Sequence, residues 1–258
     1  MSDFTDPVTG ADALTDPTAP ELLTGIDGGS PNRQARDDDA VAKTGTTTVG
    51  IATEDGVVVA ADRRASLGGR FVSNKSVLKV EQVHPTAVMT LVGSVGGAQS
   101  FVRTLRSESD LYEVRRDDEM SVHALATLAG NFARGGPWFA INPIVAGTDS
   151  EAPRTSDSAS GDEPRAHEGS HVYSVDPAGG VMEDDYTVTG SGMQLAYGTI
   201  EGQYDPEMSL DAARDLAVRA VAAASERDTG SGNGVTVATV DEEVSVETFD
   251  ETGAALDA

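Results

Sequence analysis

Thr46 carries the hydroxyl group with the clearest chemical potential, because it follows Gly45 where a polar leader gives way to a strand pattern. A cut between these two residues would give Thr46 a free α-amine beside its hydroxyl. Such an amine has a pKa near ~8, so part of it is neutral at pH 7 and can accept the hydroxyl proton. The β-branch of threonine restricts χ1 and so directs the hydroxyl. The alternative is that Thr46, Thr47 and Thr48 only form a strand.

The leader, residues 1–45, does not have the composition of a folded unit. It contains nine acidic residues and no apolar run, and it is rich in Pro, Gly and Thr. Such a segment buries too little apolar surface to fold, and it lacks the basic start and apolar core of a signal peptide. We therefore predict a disordered acidic leader, followed by one folded domain over residues 46–258.

From Thr46 onward the pattern is that of strands and helices. Thr46–Thr53 and Val57–Asp62 are predicted to form a hairpin around the turn at Glu54–Gly56. Further strands are predicted at Phe71–Ser73, Val77–Glu81, Ala87–Val92, Trp138–Ala146, His171–Val175, Val181–Val188, Val235–Val240 and Val244–Thr248, with helices after Gly97, over Ser121–Ala133, beyond Gly192 and over Ser209–Arg227. An acidic loop insertion is predicted at about residues 148–170, and a short tail at the C-terminus. This order predicts an α+β fold, a four-layer αββα sandwich of two antiparallel sheets flanked by helices.

Composition excludes several classes of site. The chain has no cysteine, which rules out disulfides, thiol nucleophiles and cysteine-ligated zinc. His167 and His171 are close in sequence but lie in a polar segment, so we predict no metal site. A formal net charge of −25 opposes nucleic-acid binding. No run is long enough to span a bilayer, which favours a cytoplasmic protein without a membrane partner.

The charge is also unusual in kind, since the chain has three lysines against fifteen arginines. An acidic surface that is poor in lysine is typical of a protein from a high-salt cytoplasm, where salt screens the repulsion. An acidic mesophilic protein is the alternative, and the shortage of lysine disfavours it.

Five short motifs occur in a fixed order. They are Thr46-Thr47-Thr48-Val49-Gly50-Ile51, Ala61-Asp62-Arg63-Arg64, Leu91-Val92-Gly93, Gly190-Ser191-Gly192, and Arg227-Asp228 through Ser231-Gly232. With this spacing the chain resembles the β subunits of the archaeal 20S proteasome, in a haloarchaeal form, over about Thr46 to Thr248. The resemblance implies the N-terminal nucleophile hydrolase fold.

The resemblance also implies roles for single residues. Autolysis between Gly45 and Thr46 would remove the leader and release the nucleophile. Asp62 would hold a lysine ammonium beside it. That lysine matches Lys79, although the interval from Asp62 is one residue longer than usual, which leaves Lys75 as a rival.

Other matched positions complete the implied site. Gly93 would supply the oxyanion hole through its N–H, and Ser191, Asp228 and Ser231 would orient the terminal amine. Ala65 and Ser66 would form the edge that pairs with an extended substrate. Ala65, Leu91 and Val95 would line an apolar pocket.

The implied activity is that of a threonine endopeptidase without cofactor or metal. It would cleave unfolded proteins with a chymotrypsin-like preference. Its implied partners are other β subunits in a heptameric ring, proteasome α subunits and, through the α ring, an ATP-dependent regulatory cap. Two alternatives are a catalytically silent subunit of the same ring and a hydrolase of the same superfamily that acts on a small amide.

Overall fold

Twelve strands and five helices make up the described part of the chain, which is residues 45–135, 141–149, 167 and 169–258 of a computed structural model. The strands are β1 (Thr47–Thr53), β2 (Gly56–Asp62), β3 (Ala65–Leu67), β4 (Phe71–Asn74), β5 (Val80–His84), β6 (Ala87–Thr90), β7 (Ile144–Thr148), β8 (Ser170–Val175), β9 (Val181–Glu183), β10 (Tyr186–Gly190), β11 (Val235–Val240) and β12 (Val244–Phe249). The helices are α1 (Val95–Arg116), α2 (Val122–Gly135), α3 (Met193–Ile200), α4 (Leu210–Ser225) and α5 (Thr252–Leu256). All of the described residues belong to one compact unit, Val41–Ala258.

Ten of the strands form two five-stranded antiparallel sheets. The first sheet has the order β10-β1-β2-β11-β12, and the second has the order β5-β6-β7-β8-β9. Every residue of β1 and β2 is buried, since both strands lie inside the first sheet and are covered on both faces. This explains why their sequences are almost continuous runs of Val, Ala, Thr and Gly rather than alternating patterns. The remaining pair, β3 and β4, forms a separate two-stranded ribbon.

Three apolar cores separate four layers. The core between the sheets includes Val59 and Ala61 of β2, Ile144 of β7 and Val172 of β8. A second core packs α1 and α2 on the outer face of the second sheet. A third packs α3 and α4 on the outer face of the first sheet. The predicted four-layer αββα sandwich is thereby confirmed.

The helices begin where the sequence provides a cap. Ser94 accepts a hydrogen bond from the N–H of Gly97 at 3.4 Å and begins α1. Ser209 accepts one from the N–H of Ala212 at 3.3 Å and begins α4. The cap at Ser94 directly follows Gly93, which lies in the site described below, so α1 begins two residues after that glycine.

Several predicted elements differ from the structure. The single strand predicted over Val181–Val188 is wrong, because β9 ends at Glu183 and β10 begins at Tyr186 in the other sheet. The strand predicted from Val77 begins only at Val80, so Lys79 precedes β5 rather than lying within it. The strand predicted from Trp138 begins at Ile144, while residues 136–140 lie outside the described part. The ribbon strand β3 and the helix α5 were not among the predicted elements.

Two predicted segments, the leader and the acidic insertion, lie largely outside the residues that the structure describes. Residues 1–44 of the leader are not described, and neither are residues 150–166 and 168 of the acidic insertion. The flanks of the insertion are described, and Thr148 of β7 pairs with Ser170 of β8. In the described ranges, no helix combines the length and apolar character needed to cross a membrane.

Candidate active site

Thr46 lies immediately before β1, at the end of the first sheet, and is only 3% exposed. The backbone carbonyl of Thr46 accepts a hydrogen bond from the N–H of Gly192 at 3.3 Å, and Ser191 Oγ lies 3.3 Å from the same carbonyl oxygen. The next residue pairs with Gly190 at the end of β10. The junction of β1 and β10 therefore fixes the main chain of Thr46, and the peptide bond to Gly45 is intact.

Asp62 ends β2, and its fully buried carboxylate receives five donors. Its Oδ1 accepts from Thr46 Oγ1 at 3.0 Å, from the N–H of Thr47 at 2.9 Å and from Lys79 Nζ at 2.7 Å. Its Oδ2 accepts from the N–H groups of Arg64 and Gly232, each at 2.9 Å. So many fixed donors hold both oxygens in one orientation, with Oδ1 facing the Thr46 hydroxyl.

Lys79 is the cation of the site. Its side chain is nearly buried, and its Nζ donates to Thr46 Oγ1 at 2.6 Å and to Asp62 Oδ1 at 2.7 Å. Burial lowers the pKa of Lys79 from its ordinary value of 10.5, and the charge of Asp62 opposes part of that shift. The backbone carbonyl of Lys79 accepts a hydrogen bond from the N–H of Leu91 at 2.7 Å. This bond fixes the main chain from which the lysine side chain extends. Lys75, the rival, is exposed on the surface after β4.

A second polar network surrounds the nitrogen of Thr46. The N–H of Thr46 donates to Ser191 Oγ at 3.1 Å, and that hydroxyl donates to Asp228 Oδ2 at 2.6 Å. Ser231 Oγ donates to the same carboxylate oxygen at 2.6 Å and lies 2.7 Å from Thr47 Oγ1. The three residues predicted around the terminal amine are thus brought together beside Thr46.

Gly45 and Gly93 lie on the open side of Thr46. The N–H of Gly45 donates to Ser66 Oγ at 3.1 Å, so Ser66 holds the residue before the predicted cut. Gly93 has a φ of +105°, a conformation that favours glycine, and it follows β6 by three residues. Both glycines line the same cleft as Thr46.

This cleft is partly open to solvent, and apolar side chains form half of its lining, together with Arg64 and Lys79. Ala65, Leu91 and Val95 line it, as predicted from the sequence. Val77 and Ala98 also line it, although the sequence interpretation did not include them. They come from the segment before β5 and from the first turn of α1, and only the folded chain brings them to one place.

Arg64 makes several contacts at the site that the sequence interpretation did not predict. Its backbone N–H holds Asp62, while its guanidinium Nε donates to Asn233 Oδ1 at 2.9 Å and its Nη1 donates to the carbonyl of Thr229 at 3.1 Å. It therefore joins the Asp62 side of the site to the loop that carries Asp228. The Ala-Asp-Arg-Arg motif was the available signal, but it did not indicate which loop the arginine would meet.

The arrangement can activate one hydroxyl without a metal. In the described residues, no group of three or more His, Asp or Glu side chains could hold a metal ion. His167 contacts the hydroxyl of Tyr204 at 3.0 Å, whereas His171 contacts Glu183 at 2.7 Å, so these two histidines have different partners. What remains at Thr46 is a hydroxyl, a buried ion pair, a set of oriented serines and an apolar cleft.

Comparisons with known proteins agree with this geometry. A sequence profile described as "Proteasome subunit" matches residues 42–156 and 164–240. The chain is 67% identical over 240 residues to "Proteasome subunit beta 2" of Haloarcula marismortui, covering 92% of this chain and 95% of that protein. It is 63% identical over 243 residues to "Proteasome subunit beta" of Halorhabdus utahensis, covering 94% of each chain. It is 64% identical over 240 residues to "Proteasome subunit beta" of Halomicrobium mukohataei, covering 93% of each chain.

Proposed function

The chain belongs to the proteasome subunit family as a β subunit, and from this premise we propose that it is an active threonine endopeptidase of the 20S core particle. The observation that carries the proposal is the contact of Thr46 Oγ1 with Lys79 Nζ at 2.6 Å and Asp62 Oδ1 at 3.0 Å. A threonine that only formed a strand would not need a buried ion pair at its hydroxyl. Removing two charges from water costs several kcal/mol per ion before their attraction offsets it.

The first reaction is removal of the leader, residues 1–45, which leaves residues 46–258 as the catalytic domain. In the uncut chain the nitrogen of Thr46 is an amide and cannot act as a base. Among the described residues, the side chains that bond its hydroxyl are Asp62 and Lys79. The hydroxyl proton passes into this pair as Oγ1 attacks the carbonyl carbon of Gly45. The pair returns the proton to the nitrogen of Thr46 as the peptide C–N bond breaks, so that this nitrogen becomes an amine and an ester joins Gly45 to Oγ1. Water then hydrolyses the ester, and the leader leaves with a carboxylate on Gly45.

Peptide hydrolysis follows from the mature site. The new amine lies beside Ser191, whose hydroxyl is oriented by Asp228, and it accepts the proton of the Thr46 hydroxyl. The charge of Lys79 stabilises the alkoxide as it develops, and the N–H of Gly93 faces the oxyanion of the intermediate. The Thr46 amine then returns the proton to the leaving nitrogen, the substrate C–N bond breaks, and an acyl-enzyme ester remains on Thr46. A water molecule then hydrolyses the ester.

The cleft favours large hydrophobic residues before the scissile bond. Its walls include Ala65, Val77, Leu91, Val95 and Ala98, and burial of a large apolar side chain gains about 1.5–3 kcal/mol. This supports a chymotrypsin-like preference. The extended substrate pairs with the edge at Ala65 and Ser66 through its main chain.

The assembly we propose is a heptameric ring of β subunits stacked on rings of α subunits in the cytoplasm. Unfolded proteins reach its chamber through the α ring with the help of an ATP-dependent cap. Two other functions are disfavoured. A silent ring subunit has no use for Lys79 and Asp62 at the hydroxyl. The network of Ser191 and Asp228 and the apolar lining of the cleft disfavour a hydrolase for small amides.

The test is the N-terminus of the assembled protein. The full chain is produced in a high-salt host, and the particles are analysed by intact mass and terminal sequencing. We expect chains that begin at Thr46 and hydrolyse peptides. Thr46→Ala should form particles that keep leader residues and have no activity, while the matched control Thr239→Ala, at the half-buried position of β11, should mature normally. Active particles that begin at another residue would refute the proposal.

A further inference from the structure

Gly45 and Gly230 lie back to back, with no room for a side chain between them. A Cβ added to Gly45 would overlap the Cα of Gly230 and lie 3.1 Å from its carbonyl carbon. A Cβ added to Gly230 would overlap the Cα of Gly45 and lie 3.0 Å from the carbonyl carbon of Gly45. Each overlap is with main-chain atoms, which cannot rotate aside.

The close approach of the two main chains is what requires glycine at position 230. Gly230 is not among the glycines with positive φ in the described residues, so a left-handed backbone conformation is not the reason for glycine there. Gly230 is buried in the turn that separates Asp228 from Ser231, and its N–H donates to Asp228 Oδ1 at 3.2 Å. This turn is one side of the polar network around the nitrogen of Thr46.

We infer that Gly230 is a positioning residue for removal of the leader, because it sets where the carbonyl of Gly45 lies relative to the Thr46 hydroxyl. The inference rests on the proposed function, since it assumes that Thr46 Oγ1 attacks that carbonyl. A methyl group at position 230 would push Gly45 away from the turn. Displacement of a reacting group by roughly 1 Å costs on the order of 100-fold in rate.

The contact exists only while the leader is attached. After cleavage Gly45 leaves, and among the three nearest atoms to a Cβ on Gly230 only Ser191 Oγ remains, at 3.1 Å. That atom ends a short side chain and can shift by a few tenths of an ångström. A side chain at position 230 should therefore hinder maturation and leave the mature site nearly intact.

The first experiment uses the full chain with Gly230→Ala. Loss of the leader is followed by intact mass during assembly, and peptidase activity is expressed per chain that begins at Thr46. We expect maturation to slow by on the order of 100-fold while activity per mature chain falls by a much smaller factor, because the added methyl group then meets only Ser191 Oγ among the three nearest atoms. The matched control is Gly198→Ala on α3, where an added Cβ meets nothing within 4 Å, and it should mature at the wild-type rate.

The second experiment is for the case in which the Gly230→Ala precursor fails to fold. The three apolar cores lie within residues 49–255, so a chain that starts at Thr46 contains all of them. This chain is released from an N-terminal ubiquitin fusion, with the leader supplied as a separate peptide, and carries Gly230→Ala. We expect it to assemble and to hydrolyse peptides, with a loss of turnover relative to the same chain with glycine that is far smaller than the roughly 100-fold slowing of maturation.

Each remaining result has a definite meaning. If Gly230→Ala matures at the wild-type rate, or if its activity per mature chain falls as much as its maturation, the inference is wrong while the proposed function stands. If the chain starting at Thr46 with Gly230→Ala is inactive beside an active glycine counterpart, the inference is also wrong. If the wild-type chain never loses its leader, the proposed function fails, and the inference fails with it.

Discussion

Replacing Lys79 by alanine is the sharpest test of how the site activates its hydroxyl. Lys79 Nζ is 2.6 Å from Thr46 Oγ1 and 2.7 Å from Asp62 Oδ1, and the lysine is only 5% exposed. No other cationic side chain is bonded to the Thr46 hydroxyl in the described part of the chain. The substitution therefore removes the charge that would stabilise the developing alkoxide.

Two effects set the magnitude. Loss of one preorganised electrostatic contact to the reacting oxygen costs about 10²–10³ in kcat, or about 2.7–4 kcal/mol. Loss of one partner from a buried ion pair costs about 3–5 kcal/mol of stability. Asp62 keeps four donors, from Thr46 Oγ1 and from the N–H groups of Thr47, Arg64 and Gly232, so the stability loss should lie at the lower end.

The assay measures turnover of two peptides, one hydrophobic and one basic before the scissile bond, together with thermal unfolding in the same salt. Lys79→Ala should reduce both turnovers by the same factor, at least about 100-fold, because the lysine acts on the nucleophile and not on the pocket. Intact mass shows whether the leader is still attached, and we expect the Lys79→Ala chain to retain it. Lys75→Ala is the matched control, since it makes the same change at an exposed position and should stay within about 0.5 kcal/mol of wild-type stability.

Either of two results would refute this reasoning. Loss of activity in Lys75→Ala but not in Lys79→Ala would move the catalytic lysine to the rival position. A Lys79→Ala protein that loses turnover of one peptide only would make the lysine part of the specificity pocket.

Three further predictions concern specificity, salt and pH. Wild type should cleave the hydrophobic peptide faster than the basic one, and Val77→Asp should weaken this preference because Val77 lines the apolar cleft; a faster basic peptide would contradict the pocket. Rings should need molar salt, because the chain from Thr46 keeps 34 acidic residues against 15 lysines and arginines, and its net charge of −19 repels neighbouring subunits until the Debye length falls to about 3 Å at 1 M; sedimentation that finds intact rings in dilute buffer would exclude this. Burial lowers the pKa of Lys79 below 10.5, so between that lowered pKa and 10.5 the unfolded chain holds a proton that the folded chain has released. The free energy of unfolding of wild type, relative to Lys79→Met, should therefore rise with pH through this window, and equal slopes in urea titrations would contradict it.

The sequence predicted the fold best where local signals were strong. The hairpin of β1 and β2 was recognisable from the turn at Glu54–Gly56, and the helices α1 and α4 begin at serine caps. The strand predicted over Val181–Val188 was wrong because Asp184 and Asp185 interrupt the β pattern between β9 and β10. A β pattern also does not indicate which sheet a strand joins.

The membership of the family is confirmed, and the five motifs that indicated it meet at one place in the structure. Thr46, Asp62 and Lys79 could be proposed because each stands next to a recognisable strand or motif. The sequence could not predict which further residues would join the site, since this depends on how distant segments pack. These are Val77 and Ala98 in the cleft and the guanidinium contacts of Arg64. The same holds for Gly230, whose close approach to Gly45 leaves no pattern along the chain.

The position of Asp62 at the end of β2 explains why its buried carboxylate contacts both the hydroxyl of Thr46 and the loop beside the nitrogen of Thr46. Asp62 ends β2, which pairs with β1 on one side and with β11 on the other, so Thr47 and Gly232 reach it from the two neighbouring segments. Oδ1 faces the nucleophile and its lysine, while Oδ2 holds the loop that carries Asp228 and Ser231. A shift of this carboxylate would therefore disturb the hydroxyl and the amine of Thr46 together. Asp62→Asn would keep the shape but remove the charge that holds Lys79, so we expect it to impair maturation and turnover even if the sheet remains folded.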